Sequence, residues 1–77
     1  NLKIVDFGGG LGITYFKEFW GANLEKLDSY SVIERPEICQ IGTKLLHQYR
    51  NLSFHDKLIK DKVDIIFCGS SFHYVED

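Results

Sequence analysis

The chain has one proline, two cysteines and no methionine in 77 residues, and its charges nearly cancel at a net −2. Each shortage excludes something. With 44 % hydrophobic residues and a single proline, the composition is that of a globular domain and not of a disordered segment. Cys39 and Cys68 form no C-x-x-C pair, and two isolated cysteines in such a domain are expected to be reduced, buried and inert. No apolar run approaches the ~18–20 residues that span a bilayer, and no signal peptide is visible, so no membrane partner and a cytoplasmic location are expected. The even mixture of acids and bases argues against a nucleic-acid partner. His47, His55 and His73 stand 8 and 18 residues apart, which fits no metal-ligand spacing. The sequon Asn51-Leu52-Ser53 matters only in a secreted protein.

What the chain does have is glycine in one place. Residues 5–12 read Val-Asp-Phe-Gly-Gly-Gly-Leu-Gly, four glycines within five positions after a short apolar strand that carries an acid. Glycine permits a tight turn at positive φ and a close ligand approach, because no Cβ intervenes. A strand that ends in such a turn and feeds a helix points unpaired N–H groups at one spot.

Four strand-like runs alternate with helix-like ones: Lys3–Phe7, Tyr30–Glu34, Leu52–His55 and Val63–Cys68. A first helix is predicted from Gly12 to about Trp20, with Tyr15, Phe16, Phe19 and Trp20 as an aromatic inner face. Leu24–Leu27 add a helical turn. A second helix starts at Pro36, a residue suited to a first helical turn, and runs to about Tyr49. Its apolar stripe is Ile38, Ile41, Leu45 and Tyr49, flanked by Gly42 and Leu46. Lys57–Lys62 form a polar crossover or a shortened helix. Parallel strands need such crossovers, so the expected fold is α/β: a Rossmann-like, doubly wound, mostly parallel sheet in three α/β/α layers, with strand 1 central and strand 4 beside it. Ligands in such sheets bind beyond the carboxyl ends of the strands, at the switch point. Every polar candidate below falls at a strand's carboxyl end.

The glycine spacing narrows the ligand. G-x-G-x-x-G fails, because its third glycine falls on Ile13; Gly8, Gly10 and Gly12 fit G-x-G-x-G, with Asp6 two residues ahead. A carboxylate there repels a pyrophosphate and suits an ammonium group. No Gly-Lys-Ser/Thr follows, which excludes a phosphate-binding Walker loop. A ligand with a cationic head and no phosphate, such as S-adenosylmethionine, meets the description.

Asp6-Phe7-Gly8-Gly9-Gly10-Leu11-Gly12, with Val32-Ile33-Glu34 at the end of the second strand, resembles motifs I and II of the class I S-adenosylmethionine-dependent methyltransferases. Residues 63–74 resemble their fourth strand and the loop after it, and the run is most similar to a group of bacterial methyltransferases. The resemblance covers nearly the whole chain and reaches only the cofactor half of that fold. It implies that residues 1–77 are a partial cofactor-binding domain of a larger enzyme, with a small-molecule methyl donor and an unassigned acceptor. By position it assigns Gly8, Gly10 and Gly12 to the methionine moiety, Asp6 to its ammonium and Glu34 to both ribose hydroxyls. Asp56 matches the acid that accepts from the adenine amino group, or is a solvated loop residue. Arg35 stands where many relatives have an apolar residue; it either stacks on the adenine or points into solvent. Ser70, in Gly69-Ser70-Ser71, passes close to the methionine end. His73 and Tyr74 start the next helix, where His73 is either a general base for the acceptor or a helix-start residue packed on the glycine loop.

Two other readings stay open: an NAD(P)-binding domain of an oxidoreductase, and a non-catalytic Rossmann-like binding module. The first requires G-x-G-x-x-G and an apolar residue at position 6, and the chain has neither. Asp6, Gly8, Gly10 and Glu34 together speak against the second. A sheet that stops at strand 4 exposes an unpaired edge, so self-association through that edge is expected.

Overall fold

The structure is a computed structural model that describes residues 2–20, 24–58 and 62–68, together with the backbone of residues 71–74. Apolar residues that alternate or run continuously make the strands β1 (Leu2–Phe7), β2 (Leu27–Ile33), β3 (Leu52–His55) and β4 (Ile65–Cys68), and β5 spans Ser71–Tyr74. The helix α1 covers Pro36–Leu46. All five strands form one sheet in the order β3-β2-β1-β4-β5. β3, β2, β1 and β4 are parallel, and β5 runs antiparallel to β4. The protein is thus a small α/β domain with four parallel strands, β1 inside and β4 beside it as the pattern predicted.

Alternation along the strands sorts the side chains. Ile4 and Asp6 of β1, Tyr30 and Val32 of β2, and Leu52 and Phe54 of β3 lie level with one another on one face. That face holds the core, in which Ile4, Tyr15, Leu27, Tyr30, Val32 and Leu52 are buried together. Leu27 belongs to this face through a register shift. β1 and β2 pair Leu2 with Leu27 but Lys3 with Ser29, so one residue bulges and returns Leu27 to the side of Leu2.

All three described helical segments pack on this same face, the predicted turn after the first helix being a short one over Leu24–Lys26 whose Leu24 lies against the core. Tyr15 enters the core from the segment after the glycines, and α1 brings Gly42 against the Phe54 ring. Among the described residues no helix covers the opposite face, so the architecture shown is an α layer on a sheet.

Four expectations are corrected. His73 and Tyr74 do not begin a helix; Ser71-Phe72-His73-Tyr74 alternates with the period of a strand, and its backbone completes the hydrogen-bonding ladder of β4. For the same reason the β4 edge is paired, which removes the expected route to self-association. Nor is the buried face of α1 the Ile41–Leu45 stripe. Those two side chains are 47 % and 58 % exposed, whereas Gly42 is buried and Leu46 packs on the core. The helix turns so that its one residue without a side chain meets the sheet. Cys68 is exposed and Cys39 half-buried, against the expectation of two buried thiols.

That rotation of α1 is testable. A Cβ on Gly42 meets three Phe54 ring atoms at 2.7–2.8 Å, and overpacking of this kind costs about 1–3 kcal/mol, occasionally more. Gly42→Leu should therefore lower stability by about 2–3 kcal/mol in urea unfolding. Ile41→Ala, at an exposed position, should stay within about 0.5 kcal/mol of wild type.

Candidate functional site

The ladder of β1 does not stop at Phe7. Gly8 N–H donates to Ile33 O at 2.9 Å, and there the chain leaves the sheet. Gly8, Gly10 and Gly12 all have positive φ, at 68°, 58° and 82°. An L side chain adopts such angles at a cost, so these three positions call for glycine. Gly12 N–H closes the turn on Gly9 O at 3.0 Å. A short α-helical start at residues 13 and 14 then passes into the π-helical turn Tyr15–Phe19, closed by Trp20 N–H to Tyr15 O at 3.1 Å. The predicted helix from Gly12 to Trp20 is thus present, wider and shorter than a regular one.

Two carboxylates hold the glycine turn from opposite sides. Glu34 follows β2, and its Oε2 accepts from Gly10 N–H at 3.0 Å while Oε1 accepts from Arg35 N–H at 3.1 Å. Its own backbone is fixed by Glu34 N–H to His55 O at 2.9 Å and by the Cys39 thiol, which donates to Glu34 O at 3.4 Å. Burial pushes that thiol above its ordinary range. Asp6 lies beneath the turn with 1 % of its surface exposed. Tyr30 Oη donates to Asp6 Oδ2 at 2.6 Å, and Asp6 Oδ1 is buried with no hydrogen-bond partner among the described residues. A Cβ on Gly9 would stand 2.5 Å from Asp6 Oδ2 and 2.6 Å from its Cγ, so the turn rests directly on the carboxyl group.

Removal from water raises the affinity of Asp6 for its proton; the Tyr30 hydrogen bond opposes this and the Glu34 charge adds to it. Tyr30, fully buried against the same carboxyl, is held far on the protonated side and stays a donor throughout the accessible pH range. Asp6 in the folded chain therefore keeps a proton at pH values where the unfolded chain has lost it. The resulting stabilisation is present below the ordinary value of 3.8 and is lost as pH rises through the raised one. Asp6→Asn should accordingly be more stable than wild type at pH 7, with the gap closing toward pH 4 in thermal unfolding. A variant less stable at every pH contradicts this account.

The predicted residues gather unevenly. Asp6, Gly8, Gly10, Gly12 and Glu34 form one bonded unit at the carboxyl ends of β1 and β2. Asp56 stands one residue past the His55 carbonyl that Glu34 holds, exposed at the end of β3. There an open depression of about 490 Å³ lies between α1 and the β3 end, lined by Pro36, Cys39, Phe54, His55 and Asp56 among others. Arg35 is exposed where the chain enters α1. The His55 ring is engaged by Ser53 Oγ at 2.8 Å. Ser70 lies outside the described residues. His73 pairs with Ile66 in the ladder, two positions back from the carboxyl end of β4.

Two members of the site were missed in the sequence. The strand pattern marks Tyr30 only as the start of a strand, and the motif spacing gives no role to Gly9, which lies between the motif glycines. The signal for Tyr30 lay in strand parity, which sets it on the same face as Asp6.

Among the described residues no cluster of His, Cys, Asp or Glu could hold a metal ion, and no helix is long and apolar enough to cross a membrane. No family model matches the chain, and comparison with curated proteins and with solved structures gives no significant match.

Proposed function

We propose that this chain forms the cofactor half of an S-adenosylmethionine-dependent methyltransferase, its four parallel strands being the first half of a Rossmann-like sheet covered by helices on both faces. A cytoplasmic location accompanies this reading. The observation that carries it is the left-handed glycine turn bonded through Gly10 N–H to Glu34 at the ends of neighbouring parallel strands. Ligands of such sheets bind at this place.

The residues fit the cofactor on three counts. A Cβ built on Gly8 or Gly10 meets nothing within 4 Å, so bare backbone borders open space where a ligand can rest. Each oxygen of Glu34 is bonded to one backbone amide, which leaves further lone pairs for two ribose hydroxyls. The Asp6 charge beneath the turn complements a cationic head and repels a pyrophosphate. Asp56 and the depression beside it lie at the end of β3, the strand next to the one that leads into Glu34.

When bound, S-adenosylmethionine would supply a sulfonium methyl group for in-line transfer to an acceptor nucleophile, the C–S bond breaking and the neutral thioether leaving. The chain's own part is placement. The turn would hold the methionine end by backbone contact and Glu34 would hold the ribose, with the amide bonds from Gly10 and Arg35 keeping the Glu34 carboxylate in place beforehand. Placement of two reactants in one site can contribute ~7–11 kcal/mol to the rate.

Glu34→Ala removes two hydrogen bonds to a charged acceptor, each worth about 1.5–3 kcal/mol. The expected result is a loss of about 100-fold or more in S-adenosylhomocysteine affinity by titration calorimetry, with the far-UV circular dichroism unchanged. Unaltered affinity would remove Glu34 from the site.

A further inference from the structure

The buried pair under the glycine turn has a consequence for the ligand above it. Among the described residues Asp6 is the one charged side chain of the core, and its carboxyl is divided in use: Oδ2 accepts from Tyr30 Oη at 2.6 Å, and Oδ1 has no partner among them. Tyr30 is itself immobilised, with no exposed surface and with the rings of Tyr15, Phe19 and Phe67 at centroid distances of 5.5, 5.8 and 6.3 Å. The Tyr15 hydroxyl is turned elsewhere, donating to Asn51 Oδ1 at 2.7 Å.

We propose that Tyr30 is a positioning residue for cofactor binding: its hydroxyl fixes the Asp6 carboxyl beneath the glycine turn, with Oδ1 left over, so that the site takes a cationic ligand only when Asp6 is ionised. The inference rests on the functional reading above. A neutral Asp6 gives the ammonium of the ligand nothing to pair with, and an ionised Asp6 without a cation above it is a buried charge lacking compensation. Below the pH at which Asp6 ionises by itself, ligand binding must therefore carry the loss of the Asp6 proton with it, a linkage that must appear as pH-dependent affinity.

The groups facing Asp6 set where that dependence falls. From β2, Tyr30 donates to the carboxyl and favours the ionised form; from the end of the same strand, Glu34 disfavours it. From β4 the level residue is Phe67, which carries no charge, and from the turn Gly9 brings only backbone. Removing the Tyr30 hydroxyl takes away the donor that favours ionisation. The acid limb of the affinity profile then moves to higher pH.

The test is S-adenosylhomocysteine affinity on the full chain between pH 5 and pH 8, measured for wild type, Tyr30→Phe and Asp6→Asn. 5′-Methylthioadenosine, which lacks the amino-acid head, serves as the second ligand. Wild-type affinity for S-adenosylhomocysteine is expected to fall toward acid pH by up to about tenfold per pH unit. Tyr30→Phe should show the same fall beginning at higher pH, and Asp6→Asn should bind weakly with a flat profile. 5′-Methylthioadenosine affinity should be flat for all three. A Tyr30→Phe profile that coincides with wild type overturns the positioning role while leaving the functional reading intact. Absence of wild-type binding at every pH overturns the functional reading, and this inference with it.

Discussion

Tyr30→Ala is expected to cost about 3–5 kcal/mol of stability, the range for emptying an aromatic site in a core. A domain of this size has roughly 4–12 kcal/mol in total, so the variant should lose about a quarter of it or more. Tyr30 joins three parts of the fold. Its ring packs with Tyr15 and Phe19 from the segment after the turn and stacks on Phe67 of β4 at an interplanar angle of 27°. Its hydroxyl satisfies Asp6, which without it has both oxygens buried and unpartnered. Urea unfolding should show a lower midpoint with a similar slope. Tyr30→Phe, which keeps the ring, should lose only about 1–3 kcal/mol. A loss below 1 kcal/mol for the alanine variant contradicts the assignment of Tyr30 to the core.

The second large effect belongs to Gly9. Its substitution by alanine places a methyl group 2.5 Å from Asp6 Oδ2 and 3.0 Å from Oδ1. Asp6 has a short side chain held by Tyr30 at 2.6 Å, so it cannot swing aside without breaking that bond. Either the turn lifts or the pair parts. Overpacking costs about 1–3 kcal/mol, and an unsatisfied buried group adds about as much. Gly9→Ala should thus lower the melting temperature by about 10 °C or more, at ~4–8 °C per kcal/mol for a domain this small. It should also weaken S-adenosylhomocysteine binding, because the turn that lifts is the one the ligand rests on. Gly9→Ala with wild-type melting and affinity would show that the turn does not rest on Asp6.

Much of this arrangement was legible in the sequence. The three motif glycines fall at the three positive-φ positions of the turn, because a chain reversing directly after a buried strand has few other ways to fold. The central place of β1, with β4 beside it, followed from reading the alternation of strands and crossovers as a doubly wound sheet. Glu34 was placed at the end of β2 and meets the turn through Gly10. What the sequence left open was decided by side chains meeting across the fold. Two adjacent stripes on α1 are both apolar, and the close approach of Gly42 to Phe54 chose between them; periodicity alone cannot weigh a missing side chain against a present one. Strand β2 begins three residues earlier than its apolar pattern suggested, since a register shift lets Leu27 join Leu2. Ser71–Tyr74 carries a strand's alternation, yet its resemblance to a loop and helix start concealed it. That Asp6 points into the core rather than outward depends on parity relative to Tyr30, which becomes readable only once the register of β1 on β2 is known.

Whether the glycine turn and Glu34 receive S-adenosylmethionine is tested most simply by calorimetric titration of the chain with S-adenosylhomocysteine and, separately, with NADH. The account predicts saturable 1:1 binding of S-adenosylhomocysteine and none of NADH, whose pyrophosphate would stand over the Asp6 charge. Binding of NADH alone, or of neither ligand, contradicts it.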